Sequence, residues 1–128
     1  MARRIRKAQM MSTTAGIELG TASADVILPI TAPSAGAIID RITFTDQIVG
    51  VVSTNGSYTL IVEEYGTATA LTGTITIGEA DAGVGTIVTA DGNGAGASAE
   101  GKLLQMQVTE VGTVSTTLTV VVSIWWIT

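Results

Sequence analysis

The 128-residue chain predicts an all-β protein: an antiparallel β-sandwich of about eight strands, jelly-roll-like, with an extended N-terminal arm. Three observations predict it. Apolar and polar residues alternate with period two along most of the chain, and no long amphipathic helix can be traced. Thr, Val and Gly are abundant while Lys, Glu and Gln are sparse, a balance that suits pleated sheet and turns rather than helix. Turn residues separate the alternating runs. A chain of this length makes one domain and buries roughly two-thirds of its unfolded surface.

Residues 1–14, MARRIRKAQMMSTT, read as an arm, and residues 15–128 as the sandwich domain. Chain ends are commonly free of the core, yet Ile5, Met10 and Met11 give this one apolar points that suit docking on a neighbour. Gly16 to Leu19 is a short strand. Asp25 to Ile30 is a second, and Pro29, which lacks a ladder donor, makes it an edge or a strand end. Gly36 to Asp46 is a strand in which Ile42 and Phe44 alternate with Thr43 and Thr45. Ile39 is out of phase by one residue. A bulge near Asp40 and Arg41 brings Ile39, Ile42 and Phe44 to one face. Residues 47–57 form a loop with apolar Ile48, Val49, Val51 and Val52 and a turn at Asn55 and Gly56.

Tyr58 to Glu64 alternates Tyr58, Leu60 and Val62 against Thr59, Ile61 and Glu63. Leu71 to Ile77 turns Leu71, Ile75 and Ile77 inward and Thr72, Thr74 and Thr76 outward. Gly83 to Ala90 is a strand around Val84, Ile87 and Val88. Leu103 to Thr109 places Leu104, Met106 and Val108 on one face and Gln105, Gln107 and Thr109 on the other. The last strand is Thr116 to Ile127. Leu118, Val120, Val122, Ile124 and Trp126 form its core face. The opposite face begins polar with Thr117 and Thr119 and ends apolar. On it, Val121, Trp125 and Ile127 are the candidate subunit interface, to be covered by a neighbouring subunit or by a segment of the chain's own N-terminal region, because apolar strand surface left open invites association. About eight such runs in two antiparallel sheets, packed face to face, fit a jelly roll.

Composition excludes several chemistries. With no Cys there are no disulfides and no thiolate chemistry. With no His the commonest general base and the commonest metal ligand are missing. Net charge is −5, but Arg3, Arg4, Arg6 and Lys7 hold four of the six cations. From residue 8 onward Arg41 and Lys102 stand against all eleven acids, which leaves −9. Such a body repels a nucleic-acid backbone, and only the arm is suited to one. The arm lacks the apolar core of a secretory signal, and no run is long and uniform enough to span a bilayer as a helix.

The motifs are near misses. Residues 96–103, GASAEGKL, come within one residue of the phosphate-binding loop GxxxxGK[ST], but Leu103 stands where the magnesium hydroxyl belongs, and a strand follows instead of a helix. Residues 92–97, GNGAGA, match GxGxxA without the strand, helix and acid of a dinucleotide site, and read as a turn or an adaptable surface tip. Asp91 and Asn93 imitate the start of a calcium loop whose twelfth position, Lys102, is a cation. Glu79, Asp81 and Asp91 are read as solvated loop acids, the alternative being a calcium site drawn from separate loops. Glu63 and Glu64 point to opposite faces and do not make an acid–base pair from their own strand.

The runs AGAIIDRITF (35–44), SYTLIV (57–62), AEGKLLQMQVT (99–109) and TLTVVVSIW (117–125) follow one another in an order that resembles small jelly-roll capsid decoration, or cement, proteins of tailed bacteriophages. The likeness spans residues 35–126. It implies a non-enzymatic structural role with no cofactor. It implies a homo-oligomer, a trimer or a dimer, seated on the major capsid protein at the virion exterior after synthesis in the host cytoplasm. A terminal arm commonly helps bridge capsid subunits in that family, and Arg3, Arg4, Arg6 and Lys7 are the candidate docking residues, aimed at carboxylates. The other class open to the same sandwich is a carbohydrate- or receptor-binding module of a phage tail or fibre, with Trp125 as a stacking platform. The chain is only 4% aromatic, fewer than such platforms usually recruit.

Overall fold

A computed structural model describes residues 9–19, 23–46, 57–78, 87–112 and 118–128, and the alternating runs within them are strands. Nine lie among the described residues: β1 (Gln9–Thr13), β2 (Ile17–Leu19), β3 (Ala24–Thr31), β4 (Ile38–Asp46), β5 (Ser57–Glu64), β6 (Ile75–Ile77), β7 (Ile87–Asp91), β8 (Leu103–Val111) and β9 (Leu118–Ile127). They form two antiparallel sheets. Sheet A has the order β1-β9-β4-β7, with β2 also paired to β9; sheet B has the order β3-β8-β5-β6.

Strands β1 and β2 are one edge strand with a break. Thr13 lies opposite Ser123 and Ile17 opposite Val120. Three residues, Thr14 to Gly16, therefore face two, Val121 and Val122, which is a one-residue bulge. Thr14 spans it: its amide donates to the Val122 carbonyl at 2.9 Å, and its hydroxyl accepts from the Val122 amide at 3.1 Å. With that edge counted once, the described residues form eight strands. The first pairs with the last, β3 with β8, β4 with β9 and β5 with β8. An antiparallel ribbon rolled over on itself gives this order, which is the jelly roll. The sheet begins at Gln9, inside the span read as an arm. The loop at 47–56 and Val84 lie outside the described residues.

Local chemistry explains the register. In β4, Ile39 faces Trp126 and Arg41 faces Trp125, so Asp40 is the extra residue of a bulge. Ile39, Ile42 and Phe44 are all buried on the core side, as the phase shift in the sequence requires. Strand β3 lies at a sheet edge, and its register with β8 shifts between Leu28 and Thr31, across Pro29. Strand β6 is shorter than its alternation predicts. Leu71 is buried as expected, but Thr72 turns inward rather than outward. Its Oγ1 accepts from the Val62 amide at 3.1 Å and donates to the Gly73 carbonyl at 2.9 Å. A hydroxyl thus takes the place of a strand partner, and burial is the consequence.

The inner faces meet in a single core in which Trp126, Tyr58 and Phe44 are the largest buried side chains. The Tyr58 hydroxyl, on sheet B, donates to the Leu19 carbonyl on sheet A at 3.3 Å. Burial, with the Glu110 charge second, pushes its pKa up, so it stays a donor. Trp126 leaves its Nε1–H without an acceptor among the described residues. That omission costs about 1–3 kcal/mol, which the burial of so large a ring outweighs.

Candidate functional site

Cross-strand partners share a face, so the register lists what sheet A presents outward. One row runs Met11, Trp125, Arg41, Asp91 across β1, β9, β4 and β7. The row on one side holds Ile127 and Ile38. On the other side Thr13, Ser123, Thr43 and Thr89 make a row of hydroxyls, with Thr13 and Ser123 hydrogen-bonded at 3.2 Å. Beyond it come Val121, Thr45 and Ile87. Val121, Trp125 and Ile127, the interface candidates from the sequence, therefore lie on one face and are half-buried. Met11 is 61% exposed and Ile87 59%.

Arg41 is the residue the alternation did not single out. Its guanidinium carbon sits 4.0 Å from the centroid of the Trp125 ring, in cation–π contact. Arg41 shares the outward phase of Thr43 and Thr45, and the bulge at Asp40 shifts the phase only of Ile39 and Ile38 before it. The signal was present in the phase of Ile42 and Phe44.

The outer face of sheet B differs on its central strands. There Gln105, Gln107 and Thr109 of β8 stand beside Glu63, Ile61 and Thr59 of β5. Glu63 is buried, and Gln105 Nε2 donates to it at 2.6 Å.

One end of the sandwich is closed by the loop 92–102, which folds onto residues 32–37 and 64–72. The Gly36 amide donates to the Ala97 carbonyl at 2.7 Å, the Ala97 amide to the Ala37 carbonyl at 2.8 Å, and the Ala32 amide to the Lys102 carbonyl at 2.9 Å. The stretch read as an adaptable tip is thus bonded in place. Two of its glycines serve close approach: a Cβ on Gly92 would stand 2.0 Å from the Ile39 carbonyl oxygen, and one on Gly96 2.9 Å from that of Gly36.

Inside this loop lies a buried carboxylate. Glu64 continues the inward phase of Tyr58, Leu60 and Val62, so it enters the end of the core, and it is 1% exposed. Its Oε1 accepts from the Ser98 amide at 2.7 Å, and its Oε2 from the Ser98 hydroxyl at 2.9 Å and the Thr67 hydroxyl at 3.2 Å. Burial alone raises the Glu64 pKa, but these donors and the Lys102 charge outweigh it and hold the carboxyl below the usual range. The near match to a phosphate loop therefore does hold an anion, and the anion is part of the chain.

Arg3, Arg4, Arg6 and Lys7 lie outside the described residues, as do Glu79 and Asp81. Asp91 stands on β7 as the cross-strand partner of Arg41. Among the described residues there is no cluster of three carboxylates able to hold a metal and no ligand-sized cavity. No helix there is long and apolar enough to cross a membrane.

No protein-family model and no curated protein matches the chain. Its fold is found in solved structures. The chain superposes on one from the cyanophage Pam1 capsid asymmetric unit with a TM-score of 0.57 and 18% identity, covering 98% of this chain and 89% of that one. It superposes on one from the acidic stable capsid structure of Helicobacter pylori bacteriophage KHP30 with a TM-score of 0.51 and 15% identity, covering 96% and 94%. At these identities the likeness is one of fold, and it joins this β-sandwich to chains that occur in phage capsids.

Proposed function

We propose that the chain is a non-enzymatic structural protein of a phage particle, seated as a homo-oligomer, a trimer, on the outside of the capsid and stabilising it by docking onto the major capsid protein. The observation that carries this reading is the fold shared end to end with chains from two phage capsids. The matched chains are of nearly this length, so the likeness relates whole small proteins rather than this chain and one domain of a larger one. A small sandwich that docks in many copies reinforces a shell through summed area rather than through one strong site. In this reading the face of Val121, Trp125 and Ile127 meets a neighbouring subunit, and Arg3, Arg4, Arg6 and Lys7 meet carboxylates on the capsid.

Truncation tests it. Removing residues 2–8 leaves β1 whole. Mixed with capsids assembled from the phage's major capsid protein, the full-length chain is expected to co-sediment and raise their heat resistance, and the truncated chain to bind weakly. A full-length chain that fails to bind those capsids overturns the reading. Equal binding by the two chains overturns the arm's part in it.

A further inference from the structure

We infer that Glu64 and Ser98 form an acid-sensitive fastening of the loop 92–102 over the end of the core, and that protonating this one carboxylate loosens the loop before the sheets separate. The geometry is that of a clasp. One side chain on β5 joins the turn after that strand, through Thr67, and the centre of the loop, through both the amide and the hydroxyl of Ser98. Backbone bonds to residues 32–37 hold Ala97, next to Ser98, and the loop's end at Gly101 and Lys102, and those do not titrate. Bonds to an ionised carboxylate are roughly twice as strong as neutral ones, so proton uptake weakens the attachment at Ser98 while the backbone bonds at Ala97 and Lys102 persist.

The charges around the clasp are few. Lys102, on the loop, favours the ionised form. Glu63, the neighbour on β5, turns to the opposite face and bonds Gln105. Tyr65 on the turn and Glu100 on the loop are exposed. The folded pKa of Glu64 lies below its unfolded value. The clasp's contribution is therefore complete above the ordinary carboxylate pKa of about 4.3 and is lost as pH falls through the lower, folded value. This inference is independent of the capsid reading.

Amide hydrogen exchange on the full chain tests it, corrected for the intrinsic effect of pH. Protection of the Ser98 amide is expected to hold from neutral pH to about pH 5. Below that it should fall roughly ten- to a hundredfold while core amides of β8 and β9 stay protected. In Glu64→Gln the Ser98 amide should already exchange faster by a similar factor at neutral pH and show no acid step. Ser98→Ala keeps the amide donor and removes the hydroxyl, so its acid step should move to higher pH. Ser98 protection that falls only in step with the core overturns the inference. So does wild-type Ser98 protection in Glu64→Gln at neutral pH, or an unmoved acid step in Ser98→Ala should the glutamine variant not fold.

Discussion

Across the middle of sheet A the outward row is Met11, Trp125 and Arg41; across sheet B a corresponding row is Ile27, Gln105 and Glu63. Both sheets carry exposed apolar residues on their edge strands, Met11 and Ile87 on one and Ile27 on the other. The difference lies in the central strands. In sheet B these show glutamine and threonine outward around the half-buried Ile61, and the buried Glu63 is answered by Gln105. In sheet A they show Val121, Trp125, Ile127 and Ile38, with Arg41 laid over the indole. One outer face bonds its buried carboxylate within the sheet. The other presents half-buried apolar surface with a cation–π pair at its centre, and surface of that kind is what subunit interfaces are built from.

The sharpest break in this comparison lies within β9. Trp126→Ala empties the core and should lower unfolding free energy by about 3–5 kcal/mol in denaturant titrations. Trp125→Ala should change the isolated chain by about 1 kcal/mol or less. Equal losses would mean that the two faces of β9 are not distinct. Next comes charge on each outer face. Val121→Lys should weaken self-association at least about 30-fold, the size of a hot-spot loss, in analytical ultracentrifugation, whereas Ile61→Lys on sheet B should leave it unchanged. Gln105→Ala strands the Glu63 carboxylate and should cost about 1–3 kcal/mol; Thr43→Ala, among the hydroxyls of sheet A, should stay within about 0.5 kcal/mol. Smallest is Arg41→Ala, at about 0.5–1 kcal/mol. Its effect should vanish in the Trp125→Ala background when a double-mutant cycle is measured.

Much of the fold is written in the period-two pattern. Ile42 and Phe44 against Ile39 disclosed the bulge at Asp40, Pro29 disclosed the edge position of β3, and the order of runs disclosed the rolled ribbon. Two local details were not legible, because neither side-chain hydrogen bonds nor close backbone contacts appear in a pattern of hydropathy. Thr72 looked outward by alternation but is buried where it satisfies the Val62 amide. Residues 92–97 read as a turn or an adaptable tip, and the bonds that fix them stayed hidden because glycine and alanine signal turns equally when they are open and when they admit another backbone at close range. Of the candidate face, the residues of β9 were legible, since a strand's outward phase follows from its inward one. Arg41 was not, because a cross-strand contact depends on which strands become neighbours.

By itself the sequence determined which side of β4, β5, β8 and β9 enters the core, because burial of apolar surface acts on each alternating run independently of the others. It also determined that Glu64 points inward, since Glu64 shares the phase of Leu60 and Val62. Only the tertiary structure decided what answers that charge. Ser98 lies 34 residues further on, and it reaches Glu64 because β3–β4 and β5–β6 bring their connecting segments to the same end of the sandwich as the loop before β8. A partner at that distance is set by the rolling of the ribbon, and no local pattern of residues records it.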